Sequence, residues 1–119
     1  MLNKKRLLYI SGLIFFSACA SNNEEDLYSE CSTDDISYSV HIKPYVENTC
    51  LSCHNTNLPS GNVNYSSFEG LKKGIDDGSF FGSIQHVAPF SAMPPSSPMT
   101  DDCKIAQIQA WIDQGAEKN

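Results

Sequence analysis

The chain of 119 residues has no apolar run long enough to cross a membrane as a helix, which takes about 20 residues. No internal repeat is visible, so solenoid and propeller architectures are excluded. Basic residues are scarce, with eight Lys and Arg against 14 Asp and Glu and a formal charge of −6. That balance makes nucleic acid and anionic membrane surfaces poor partners. There is no βαβ pattern to carry a thioredoxin-like redox pair, and no second pair of Cys or His ligands to complete a structural zinc site.

What the N terminus does contain is an export signal. Asn3-Lys4-Lys5-Arg6 precedes the apolar run Leu7 to Phe16, and small residues follow up to a cysteine. Phe16-Ser17-Ala18-Cys19 resembles the bacterial lipobox, in which cleavage before the cysteine is followed by lipidation of its sulfur. Phe16 stands where leucine is commoner, and an ordinary secretory signal cut nearby is the alternative. Residues 1–18 are read as a lipoprotein signal peptide, residues 19–35 as a lipidated acidic tether and residues 36–119 as one domain. The mature chain keeps five basic against 14 acidic side chains, so its charge is −9. Its 101 residues can bury only a marginal core without help.

The stretch that organises this domain is Cys50-Leu51-Ser52-Cys53-His54. C-x-x-C-H is the pattern of covalent c-type haem attachment. Two cysteines three residues apart at the start of a helix present both thiols to one porphyrin edge, and the histidine that follows supplies an axial ligand to the iron. No second C-x-x-C-H occurs, so one haem per chain is expected.

Around this motif the pattern is helical. Ile42, Tyr45, Val46 and Thr49 recur at helical spacing, with Pro44 in a first turn, and predict a short helix from about residue 43 into the motif. His41, just ahead of it, is too close in sequence to reach the far face of the haem. Leu58 to Asn62 is turn chemistry, and Val63-Asn64-Tyr65 is extended. Ser66-Ser67-Phe68-Glu69 reads as a capping box opening a helix that buries Phe68 and Leu71 and stops at Gly74. Phe80, Phe81, Ile84 and Val87 mark a second short apolar helix, whose aromatics wall the haem or fill the core. Four prolines between Ala88 and Pro98 exclude a helix there. The last helix has Thr100 as cap, Ile105, Ile108, Trp111 and Ile112 as buried stripe and Gly115 as stop, and is expected to cross the helix leading into Cys50.

Two methionines remain after signal cleavage. Met93 projects from the stiff loop Ala92-Met93-Pro94-Pro95 and is the expected second axial ligand; Met99 is expected to pack on the last helix. His86 is the competitor as a second histidine ligand; the alternatives are a partner of a haem propionate or a side chain in solvent. With one cysteine assigned to lipid and two to haem, Cys31 and Cys103 remain. An even remainder in an oxidising compartment suggests a disulfide, with two separate thiols as the alternative.

The C-x-x-C-H run, the loop Ala92-Met93-Pro94-Pro95 and the closing Ala110-Trp111-Ile112-Asp113-Gln114-Gly115-Ala116 resemble a small class I cytochrome c domain of the bacterial envelope, over about residues 38–117. The resemblance implies an all-α fold around one covalent haem c, with terminal helices crossing beside the haem edge. Cys50 and Cys53 would form the thioethers, and His54 and Met93 would ligate the iron. It also implies single-electron transfer between a donor and an acceptor redox protein, with no substrate and no enzymatic activity of its own. The short segment between His54 and Met93 leaves the haem edges thinly covered. The expected location is the cell envelope, lipid-anchored through Cys19 and facing periplasm or cell surface. The rival readings are a haem enzyme or a gas or peroxide sensor with an open sixth position, and a haem subunit of an envelope redox assembly.

Overall fold

Residues 31–119 are described by the computed structural model; the residues read as signal peptide, Cys19 and the first part of the stretch read as tether lie outside the described residues. Ser37 starts the ordered helical structure, its hydroxyl accepting from the Val40 amide and capping a π-helical turn over Tyr38–Ile42. That turn runs directly into α1, Lys43–Thr49, with Pro44 at the junction between the two. Helix α2 spans Phe68–Asp76, α3 spans Ser79–Ile84 and α4 spans Asp102–Asp113. No helix among the described residues is long and apolar enough to cross a membrane.

The helices meet through one apolar core. Ile42 from the π turn, Val46 from α1, Leu71 and Ile75 from α2, and Ile108 and Trp111 from α4 are buried together. Trp111 is anchored at its polar end, its indole N–H donating to the Glu117 carbonyl at 2.9 Å. Tyr38 lies stacked on it at 6.0 Å between centroids, and Phe68 meets both rings edge-on. This cluster fastens the π turn, α2 and α4 to one another.

Several sequence expectations shift here. The cap of α2 is Ser67, not Ser66: the Ser67 hydroxyl accepts from the Gly70 amide, while the Ser66 amide donates to the Asn64 side chain. Gly74 does not end that helix. It is buried within it, and a β-carbon there would lie 3.0 Å from the Tyr65 hydroxyl and 3.2 Å from Phe80 Cβ. The stop comes at Asp77-Gly78, where Gly78 adopts φ 76°. Asp101, not Thr100, caps α4, its carboxylate accepting from the Lys104 amide at 2.9 Å. Thr100 is buried and shares a 2.6 Å hydrogen bond with the Tyr45 hydroxyl. Of the expected stripe, Ile108 and Trp111 are fully buried while Ile105 and Ile112 are half-buried.

Helix α4 meets the π turn that runs into α1. Val87 and Met99, expected to pack, are 51% and 45% exposed.

The folded unit also begins earlier than residue 36. Cys31 and Cys103 form a disulfide with their α-carbons 5.4 Å apart, and the Gln107 amide donates to the Ser32 carbonyl. Residues 31–35, read as the end of the tether, are therefore tied to the first turns of α4, and Ile36 is buried in the core.

Candidate haem cleft

The C-x-x-C-H run lies at the end of α1, not at the start of a helix. Cys50 is the residue that closes α1, its amide donating to the Val46 carbonyl. The chain then winds through a tight turn in which the Cys53 and His54 amides both donate to the Cys50 carbonyl, at 3.1 and 2.9 Å. This turn brings Cys50, Cys53 and His54 to one wall of a cleft. The helical spacing expected for the pair is thus replaced by turn geometry, and both cysteines line the cleft.

His54 is held on three sides. Its Nδ1 lies 3.1 Å from the Ser60 carbonyl, which can only accept, so Nδ1 carries the proton and Nε2 keeps its lone pair. Its backbone carbonyl accepts from the Tyr65 amide at 2.8 Å. The Tyr65 ring tilts across the imidazole at 5.5 Å. A carbonyl on the remote nitrogen is the arrangement that fixes a metal-ligating histidine in tautomer and orientation. Asn55 shapes the turn that delivers Ser60: its side-chain amide donates to the Leu51 carbonyl, and its oxygen accepts from the amides of Asn57 and Leu58.

The second wall comes from α3 and the proline loop. Phe80 and Ile84, both buried, face the cleft from α3, and Met93 and Pro94 enter it from the loop. Met93 is fixed by its own backbone: its amide donates to the Ser83 carbonyl at 3.0 Å, and its carbonyl lies 3.2 Å from His86 Nε2. His86 is occupied with that carbonyl and does not line the cleft. Met93 and His54, 39 residues apart in sequence, therefore share one cleft, while Met99 stands outside it.

The cleft opens to solvent and has a cavity volume of about 130 Å³, below the range of about 300–1,000 Å³ usual for cofactor sites. Its walls are apolar or hydroxyl-bearing, and no Asp, Glu, Lys or Arg among the described residues lines it. Burial pushes the Cys50 thiol up to about 11 and the Tyr65 phenol up to about 12, so both are protonated at neutral pH. A reactive redox cysteine requires the opposite, a thiol lowered toward neutrality by a nearby positive charge or helix N terminus.

Haem places four demands on such a site: two free thiols, a histidine with one nitrogen available, a soft sixth donor and an apolar lining. Cys50 and Cys53 are unpaired thiols, Nε2 of His54 is available, Met93 reaches the cleft, and Phe80 and Ile84 line it. The residues fit. A four-ligand zinc site does not, since no group of three or more His, Cys, Asp or Glu able to hold a metal ion occurs among the described residues.

Sequence reasoning did not find Ser60, Ser83 or Tyr65. Ser60 and Ser83 act through backbone carbonyls, which leave no signal in residue identity. Tyr65 had one, a lone aromatic in a polar turn segment two residues before a helix cap. No family model, curated protein or solved structure matches the chain.

Proposed function

We propose that the chain is a monohaem c-type cytochrome that passes single electrons between redox proteins of a bacterial envelope. The observation that carries this reading is the convergence of Cys50, Cys53, His54 and Met93 on one cleft. The bound haem would supply a one-electron ferric/ferrous couple. The thiols of Cys50 and Cys53 would add across the two vinyl groups, each sulfur forming one bond to carbon and its proton passing to the neighbouring carbon. His54 would be an iron ligand through Nε2, since the Ser60 carbonyl holds the other nitrogen. Met93 offers a thioether, a soft donor that favours the ferrous state and raises the potential. Phe80 and Ile84 exclude water from the apolar wall.

A carrier is favoured over a haem enzyme or sensor by two features of the cleft. Met93 occupies it as a potential sixth donor, and no carboxylate, lysine or arginine lines it to move a proton on a bound peroxide or gas. The proposed setting is an exported protein anchored by lipid at Cys19, with the acidic stretch up to residue 30 as spacer.

Expression in a bacterium competent for c-type haem maturation tests the assignment. The expected product is a chain whose mass includes one haem that survives denaturation and acid extraction. A chain recovered folded, with both thiols free and no covalent haem, would contradict it.

A further inference from the structure

Helix α3 has two working faces. Ser79, Phe80, Ser83 and Ile84 line the cleft, whereas Gly82 is buried without lining it. The ring of Phe90 lies over that glycine. A β-carbon on Gly82 would stand 2.6 Å from Phe90 Cε2 and 2.9 Å from its Cγ, closer than two carbons tolerate. One turn earlier, a β-carbon on Gly78 would lie 3.8 Å from Phe90 Cζ, in ordinary contact. The missing side chain of Gly82 is therefore the seat of the ring. Because Cγ itself is too close, rotating the ring about its own axis would not make room for a methyl group.

What Phe90 anchors is the return of the chain from α3 to Met93. Along it the Val87 amide donates to the Gly82 carbonyl at 2.9 Å, the Phe90 amide to the Val87 carbonyl at 3.1 Å and the Met93 amide to the Ser83 carbonyl at 3.0 Å. Val87, Ala88, Pro89, Ser91 and Ala92 are all exposed, so Phe90 is the one side chain of residues 87–92 that is withdrawn from solvent. Hydrogen bonds on such an exposed return exchange readily with water, whereas a seated ring resists displacement through the apolar area it covers. Met93 follows three residues later, within about 10 Å of chain.

Resting on the cytochrome reading, we infer that Phe90, seated on Gly82, is a positioning residue for Met93, acting from outside the cleft through the loop to keep the thioether available to the iron. Displacing the ring frees the loop, and the fraction of molecules with methionine off the iron rises. A competing ligand then binds more tightly in proportion to that fraction.

The test is a titration of the oxidised, haem-loaded full chain in neutral detergent with imidazole, whose nitrogen takes the iron bond that the Met93 sulfur gives up, with no electron transferred. Loss of the methionine-to-iron charge-transfer band reports the exchange. Phe90→Ala and Gly82→Ala are each expected to bind imidazole about tenfold more tightly than the parent, with covalent haem retained. Phe90→Leu keeps an apolar group on the seat and is expected to gain about two- to threefold. Gly82→Ala combined with Phe90→Ala should match Phe90→Ala alone, because the methyl group enters room that the ring has left. In a Met93→Ala background Phe90→Ala should change nothing, since the methionine it positions is gone. Ile108→Val, buried in α4 and outside the cleft lining, should lower stability and leave the imidazole affinity at the parent value.

Parent-like affinity in the Phe90 variants would overturn the inference, whether or not Gly82→Ala folds. An equal gain in the Met93→Ala background would make Phe90 a barrier to ligand entry and overturn it too. So would an Ile108→Val chain that gains as much as Phe90→Ala, since the effect would then be general destabilisation. None of these outcomes touches the cytochrome reading. A parent chain without covalent haem would overturn that reading itself, and a haem-loaded parent without the charge-transfer band would remove Met93 from the iron and with it the role of Phe90.

Discussion

The helical half and the cleft half of the domain are held together by different physics. In the helical half, Ile42, Leu71, Ile108 and Trp111 are buried almost completely, and the charged residues ride on the outer faces. In the cleft half the backbone is tied by short-range polar contacts: His54 to Ser60, Asn55 to its own turn, and Met93 to Ser83 and His86. Phe80 and Ile84 extend the apolar core to the cleft, and the other lining side chains are partly buried or exposed. Burial supplies most of the stability of such a small domain, while local hydrogen bonds set geometry at little net gain, about 1 kcal/mol each. Substitutions in the first half should therefore cost stability, and substitutions in the second should cost chemistry.

The largest stability effects belong to the helical half. Trp111→Ala removes the largest buried side chain and leaves the Glu117 carbonyl without its donor; a loss of about 3–5 kcal/mol is expected in guanidinium unfolding of the full chain. Loss of the disulfide in Cys31→Ser with Cys103→Ser opens a loop spanning 72 residues and should cost about 4 kcal/mol in the chain-entropy account. The haem spectrum at low denaturant should be unchanged in that double variant, since neither sulfur lies near the cleft lining. A shifted spectrum would break the separation between the halves.

A smaller effect is expected with pH. The Tyr65 phenol is pushed by burial from its ordinary value of 10.0 up to about 12. The unfolded chain then loses this proton first as the pH rises, so stability is full below about 10 and falls between about 10 and 12. Tyr65→Phe should flatten that decline. An equally steep decline in Tyr65→Phe would place its origin elsewhere.

How much of this was legible in the sequence follows the same division. Helix positions were readable because burial writes a 3.6-residue period into Ile42 and Val46, or Ile108 and Trp111. Ends were less so: Ser67 and Asp101 cap one residue away from the expected Ser66 and Thr100, and the Thr100 hydroxyl is instead bonded to Tyr45. Gly74 read as a stop because glycine often ends helices, yet here its missing side chain makes room for Tyr65 and Phe80. Cys50, Cys53, His54 and Met93 were visible as a motif and a proline-stiffened loop. Their supports were not, since Ser60 and Ser83 act through carbonyls that any residue possesses.

Met93 tests the central claim most directly, since it is the residue that the fold, not the motif, brings to the cleft. The measurement is the near-infrared absorption and reduction potential of the oxidised full chain and of Met93→Ala. The account predicts a methionine-to-iron charge-transfer band in the parent. In Met93→Ala the band should vanish, the covalent haem should remain, and the potential should fall on the order of a hundred millivolts. Met99→Ala should behave as the parent. A band and potential unchanged in Met93→Ala, with both altered in His86→Ala, would contradict the account and assign the sixth position to histidine.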